Sequence, residues 1–282
     1  MVNYNGSLVA LNAVPISQLK RGLHYGDGLF ETMRMRDGKI LFIEDHYFRL
    51  MASMRILRMP IPMEFTPEYI LEQCRVLSTH FGYDNARLRL QIVRNGLGKY
   101  TPEQSTGVNW WIEIEPLTDK EYTLNDKGLT VDLFKDHYVQ PGLLSTVKST
   151  NTLPYILSGI YASENGLDAV LLVNDQKMVV ESNYGNLFMV MGEKLITPPL
   201  EDGALRGVFR KNMLEWAKEL NLTLEERSIS PFEIQKADEL WITNVVRGIE
   251  WIGQYRKKSF SNTKAQAALD LINRKMEILG ML

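Results

Sequence analysis

Between Pro116 and Gly128 the chain turns polar, through Thr118-Asp119-Lys120-Glu121 and Asn125-Asp126-Lys127-Gly128. This break constrains the fold most, because it separates two stretches that each alternate strand-like and helix-like segments. A chain of 282 residues is also long for a single hydrophobic core. We therefore expect an N-terminal α/β domain over residues 1–117, a linker over 118–128 and a C-terminal α/β domain over 129–282. Mixed elements in both halves give an α+β, or mixed α/β, two-domain class.

Local signals fill in the two halves. Lys39 to Ile43 is a short β-prone run after the turn Asp37-Gly38. Glu44 to Met59 has apolar residues three and four apart and stops at Pro60, which predicts a helix. Thr66-Pro67-Glu68 opens another, with Thr as N-cap and Pro in the first turn. Ala86 to Val93 alternates Arg87, Arg89 and Gln91 with Leu88, Leu90 and Ile92, the pattern of a half-buried strand. Val108 to Ile114 reads as a further strand. Beyond the linker we expect strands at Leu129–Phe134, Ala169–Val173 and Leu187–Val190, and a strand running up to Thr243. Helices are expected over Asn151–Asn165, ending at Gly166, and over Val208–Leu220. Ser230-Pro231-Phe232-Glu233 has capping-box spacing before a short helix.

Composition narrows the function classes. A net charge of −2 marks no nucleic-acid or anionic-membrane partner. No apolar run is long enough to span a membrane, and the amino terminus lacks the basic and apolar regions of a signal peptide. One cysteine, Cys74, and four scattered histidines argue against a disulfide framework or a zinc site. These features describe a cytoplasmic enzyme or binding protein with no metal.

Four features carry chemistry only when taken together. Lys148 lies in Ser145-Thr146-Val147-Lys148-Ser149-Thr150-Asn151, just ahead of a helix. Glu181 follows the apolar run Met178-Val179-Val180. Glycines in Asp202-Gly203-Ala204-Leu205-Arg206-Gly207 precede a helix start at Val208, where backbone N–H groups can hold a phosphate. Thr243-Asn244 closes a strand. Singly, each is an ordinary surface lysine, carboxylate or loop. Jointly they supply what pyridoxal 5′-phosphate (PLP) requires: an imine-forming lysine, an acid for the pyridine nitrogen and an anion hole.

Their order resembles the fold-type IV PLP enzymes of the class IV aminotransferase family, which include branched-chain and D-amino-acid aminotransferases and aminodeoxychorismate lyases. The resemblance runs from Tyr25-Gly26-Asp27-Gly28-Leu29-Phe30-Glu31 to Trp251. Its most specific part is Lys148 followed by Glu181-Ser182-Asn183-Tyr184-Gly185-Asn186-Leu187-Phe188. Leu205-Arg206-Gly207-Val208-Phe209-Arg210 is similar to the family's Gly-Ile-Thr-Arg helix start.

The resemblance implies a role for each matching residue. Lys148 is the catalytic residue and holds the cofactor. Glu181 pairs with the pyridine nitrogen. Arg49, in His46-Tyr47-Phe48-Arg49-Leu50, is the phosphate arginine. Tyr184, Gly207 and the backbone of Val208 and Phe209 border the cofactor, with Asn244 and Val245 at the last strand end. Phe209 stands where the family has threonine, and Val245 replaces a frequent hydroxyl residue, so two side-chain hydroxyls are lost. Tyr25, Phe30, Arg94, Lys99, Tyr100 and Asn244 are the substrate candidates. The family also implies a homodimer acting on a small amino substrate.

Three motifs rank the members. Branched-chain enzymes usually carry tyrosine five residues past the lysine, where this chain has Leu153, and Gly-Thr-Ala where it has Asn244-Val245-Val246. D-amino-acid enzymes carry an Arg-x-His trap, but Arg94-Asn95-Gly96-Leu97-Gly98-Lys99-Tyr100 has no histidine. Thr243-Asn244-Val245-Val246-Arg247-Gly248-Ile249 is similar to the pattern of some lyases. The expected reaction is therefore that of 4-amino-4-deoxychorismate lyase in the folate pathway, releasing pyruvate and 4-aminobenzoate. An amino-acid aminotransferase acting with a keto acid is the alternative.

Overall fold

The computed structural model describes residues 1–103 and 107–281. It divides into two compact units, Met1–Lys120 with Lys148–Asn151, and Glu121–Val147 with Thr152–Leu282. The changeover at Lys120 falls inside the polar break. The segment Lys148–Asn151 belongs to the first unit, although its neighbours on both sides belong to the second.

The first unit contains β1 (Val2–Tyr4), β2 (Ser7–Val9), α1 (Lys20–Tyr25), β3 (Gly28–Arg36), β4 (Lys39–Ile40), α2 (Ile43–Ile56), α3 (Pro67–Phe81), β5 (Ala86–Arg94) and β6 (Val108–Pro116). Its six strands form one antiparallel sheet in the order β2-β1-β6-β5-β3-β4. Alternation along β3 and β5 gives the sheet two unlike faces. Leu29, Met33, Leu88, Leu90 and Ile92 are buried on one face. The other face aligns Phe30 with Gln91 and Thr32 with Arg89, and β6 adds Trp111 and Glu113. Burying the apolar face gives about 2 kcal/mol per fully buried large side chain, which makes it the main stabilising surface of this unit.

Thr66 caps α3 as expected, its hydroxyl accepting from the Tyr69 N–H at 3.2 Å. The run Lys39–Ile43 is shorter than its β propensity predicts, because Phe42 takes a left-handed conformation (φ 59°) and starts α2 at Ile43. Strand β3 was legible only as a motif, since a mixture of buried charged and apolar residues hides its alternation.

The second unit contains β7 (Leu129–Val139), α4 (Leu153–Glu164), β8 (Ala169–Asn174), β9 (Val179–Ser182), β10 (Asn186–Met191), β11 (Lys194–Thr197), α5 (Val208–Trp216), β12 (Thr223–Glu226), α6 (Pro231–Ile234), β13 (Glu239–Asn244), β14 (Gly248–Tyr255), β15 (Lys258–Ser259) and α7 (Thr263–Met281). The strands run β12-β11-β10-β13-β14-β7-β8-β9, with β15 on β14. Strand β9 also pairs with β10 through Glu181 and Asn186, so six of the strands close on themselves. Val131, Leu171, Val179, Leu187, Ile196, Leu240 and Ile252 belong to the core of this unit. The helix expected over Val208–Leu220 is α-helical only to Trp216 and then tightens into a 3₁₀ turn, Ala217–Leu220. No helix among the described residues is long and apolar enough to cross a membrane.

Candidate active site

In the first unit, the Gly26-Asp27-Gly28 motif is a seat for the segment that carries Lys148. The Phe30 N–H donates to the Lys148 carbonyl and the Thr150 N–H to the Gly28 carbonyl, both at 3.0 Å, and Leu29 bridges Ser149. The Thr150 hydroxyl donates to the Gly26 carbonyl at 2.7 Å. Gly26 is left-handed (φ 61°), and a Cβ there would meet Asn151 Oδ1 at 2.4 Å. A Cβ on Gly28 would meet the Ile92 carbonyl at 2.8 Å. Both positions therefore need glycine for close approach. Seated this way, the half-buried Lys148 places its Nζ 4.4 Å from the Phe30 ring centroid.

Arg89, in the alternating polar register of β5, lies on the same ring. Its Cζ is 4.0 Å from the Phe30 centroid, and two of its nitrogens donate to Gln91 Oε1. Burial, with Arg87 nearby, lowers its pKa. The signal for it was available: Arg87, Arg89 and Gln91 form the polar register of β5.

Arg49 is held differently. Its Nε donates to Glu31 Oε1 at 2.8 Å and its Nη2 to Glu31 Oε2, while His46 Nδ1 lies 2.7 Å from the same Oε2. His46 and Arg49 are three residues apart, on one face of α2. Burial alone pushes the Glu31 carboxyl up, but the adjacent Arg49 outweighs it and holds the carboxyl at about 2. Burial lowers the His46 pKa, which favours the neutral ring. Glu31 and Phe30 are neighbours on β3, so by alternation Arg49 and Lys148 address residues on opposite sheet faces.

Arg94 serves as a brace. Its Nε donates to Asp27 Oδ2 at 2.9 Å, and its Nη1 and Nη2 donate to the carbonyls of Arg58 and Leu57. Arg21 meets the same Asp27 oxygen and donates to the carbonyls of Leu97, Gly98 and Lys99. All three Arg94 nitrogens are thus engaged inside the unit, so it braces the loop and is not the substrate cation expected of it. Lys99 and Tyr100 are exposed at the tip of this braced loop, with the Tyr100 ring 5.7 Å from that of Tyr25.

In the second unit Glu181 is 3% exposed. Its Oε2 accepts from Asn186 Nδ2 and from the Leu205 N–H, both at 3.1 Å, and its Oε1 accepts from the Tyr155 hydroxyl at 2.7 Å. The Glu-x-x-x-x-Asn spacing has a local cause. Ser182 turns the chain, its hydroxyl accepting from the N–H groups of Tyr184 and Gly185, which brings Asn186 opposite Glu181. Tyr184 itself packs toward Arg247, with the guanidinium 5.2 Å from its ring. Burial, and Glu250 beside it, push its phenol well above the ordinary value.

Gly207 opens α5 with no side-chain cap. A Cβ on it would meet Asn186 Oδ1 at 1.9 Å, so a side chain there would push Asn186 out of place. The N–H groups of a helix start suit an anion. Phe209 is buried among rings, edge-on to Tyr122 at 5.7 Å and to Trp216 at 6.2 Å. The Tyr122 hydroxyl donates to the Val245 carbonyl at 2.6 Å. The residue in the threonine position therefore packs as part of an aromatic brace under the last strand end. There the Asn244 Oδ1 accepts from the N–H groups of Val246 and Arg247 and closes a turn.

Known proteins are similar to this chain in sequence and in fold. The family model described as amino-transferase class IV matches residues 28–254. A putative branched-chain-amino-acid aminotransferase of Methanocaldococcus jannaschii is 31% identical over 255 residues, covering 87% of this chain and 84% of that protein. The branched-chain amino acid aminotransferase of Escherichia coli shares the fold at a TM-score of 0.84 and 21% identity, covering 95% of this chain and 91% of the other. The 4-amino-4-deoxychorismate lyase of Pseudomonas aeruginosa does so at a TM-score of 0.82 and 24% identity, covering 98% of both.

Proposed function

Because the chain belongs to the class IV amino-transferase family and is a PLP-dependent enzyme, we propose that it is a cytoplasmic 4-amino-4-deoxychorismate lyase of the folate pathway. The observation that carries this reading is the turn after β13. There Asn244 closes Asn244-Val245-Val246-Arg247 with its own side chain, where the branched-chain enzymes place Gly-Thr-Ala. Leu153, at the position of the branched-chain tyrosine, is 70% exposed.

The residues present fit the cofactor. The cradle at Gly207 and the uncapped start of α5 offer the N–H groups of Val208 and Phe209 to a phosphate, and Arg49 adds a cation. The Tyr122 brace steadies the Val245 peptide in place of the lost hydroxyls. Glu181, with neutral donors on both oxygens, suits a protonated ring nitrogen, and Tyr184 borders the same site. When bound, PLP supplies an electron sink for charge developing at the amine-bearing carbon of the substrate. Lys148 Nζ takes the proton from that carbon, and its seat on the glycine motif limits its travel. The ring of Phe30 keeps water from one side of it. In the first unit, Arg89 beside Phe30, with Tyr25 and the exposed Lys99 and Tyr100, offers donors to an anionic substrate.

The aminotransferase reading rests on the 31% identity to the Methanocaldococcus protein. A paired assay on one preparation separates the two. One arm follows pyruvate and 4-aminobenzoate release from aminodeoxychorismate, and the other follows conversion of the cofactor to its pyridoxamine form by a panel of L- and D-amino acids. Aromatic product in the first arm and slow conversion in the second is the expected result. Brisk conversion without aromatic product would establish the aminotransferase.

The reading includes a homodimer. Leu153, Ile156, Leu157 and Ile160 follow three- and four-residue spacing along α4, and all four are exposed. A stripe of this kind suits burial against a second copy. Leu157→Glu with Ile160→Glu is expected to convert a dimer into monomers in sedimentation analysis. A double variant that sediments as the wild type rules this surface out.

A further inference from the structure

We infer that Tyr155 is a positioning residue for the Glu181 carboxylate and, through it, sets the strength of the contact to the cofactor ring nitrogen. This rests on the reading that Glu181 faces that nitrogen.

A carboxylate buried to this degree must be hydrogen-bonded to remain charged. The donors to Glu181 are unequal in kind. Asn186 and the Leu205 N–H both address Oε2 and come from the strand partner and the chain that follows it. Both of these bonds fall on the same oxygen. Tyr155 holds the other oxygen, at 2.7 Å, from a separate element. That is the length of a strong bond from a hydroxyl to a carboxylate.

Tyr155 is itself held. Its ring packs against the cluster of Phe134, Ala162, Val170 and Leu172, and its carbonyl accepts from the Ser158 hydroxyl at 2.8 Å. The charge of Glu181, followed by burial, raises the phenol pKa, so the hydroxyl stays a donor. A long side chain with three rotatable bonds is thereby pinned at both oxygens. None of this was visible in the sequence, where Tyr155 is one apolar position of a helix.

The test compares PLP with its 1-deaza analogue, in which CH replaces the ring nitrogen. Both are titrated into cofactor-stripped full-length protein and followed by tryptophan fluorescence. The wild type should prefer PLP, and Glu181→Gln should bring the preference close to one. If the wild type shows no preference, the reading of Glu181 itself fails. Given that preference, Tyr155→Phe should bind the analogue as the wild type does and lose about tenfold of the preference for PLP. In the Glu181→Gln background, Tyr155→Phe should leave the ratio unchanged. A preference that is unaltered or larger in Tyr155→Phe overturns the inference. So does an equal loss of affinity for both ligands, which would mark a role in folding alone.

Discussion

Lys148→Ala is expected to lower turnover by about 10⁴-fold or more, because it removes both the cofactor attachment point and the proton carrier. The visible absorbance band of the lysine-linked cofactor should vanish with it. The fold should survive. Lys148–Asn151 is held to the Gly26–Phe30 segment through the Lys148 carbonyl, the Thr150 N–H and the Thr150 hydroxyl, none of which the substitution touches. Kinetics, absorbance and urea unfolding on the same preparation check the three statements together. Turnover within tenfold of the wild type would remove Lys148 from the mechanism.

The largest effect on stability should come from Glu31→Gln. Glu31 faces Arg49 and His46 in the interior of the first unit, with 2% of its side chain exposed. Removing its charge leaves the Arg49 guanidinium buried without its carboxylate, a change that costs about 3–5 kcal/mol. Stability should also change with pH in a particular direction. The native carboxyl sits at about 2, below its ordinary value of 4.5. A depressed pKa stabilises the fold above the unfolded value, so this contribution is lost as pH falls from about 4.5 toward about 2. Urea unfolding at neutral pH should show the variant well below the wild type, and the gap should close on acidification through that window. A variant within about 1 kcal/mol of the wild type at neutral pH would show that the pair does not hold the unit together.

Cofactor affinity links the two predictions. Arg49 is the cation proposed for the phosphate, and Glu31 fixes two of its nitrogens. Loss of Glu31 should therefore weaken PLP binding as well as the fold.

The sequence by itself determined features set by neighbours along the chain. Thr66 and Ser230 each cap a helix by accepting an N–H three residues on. Strand β5 follows directly from Arg87, Arg89 and Gln91 alternating with Leu88, Leu90 and Ile92. Glu181 and Asn186 are legible as a pair because one tight turn separates them. Tertiary structure alone decided the contacts made across strand registers and between elements. Arg94 became a brace because β3 and β5 run antiparallel and set Gly28 opposite Val93, which brings Asp27 to it. Glu31 met Arg49 because α2 packs on the apolar face of β3, and Tyr155 met Glu181 because α4 packs against the strands of the second unit. A side chain's partner across such an interface depends on register and packing angle, which no local pattern of residues encodes.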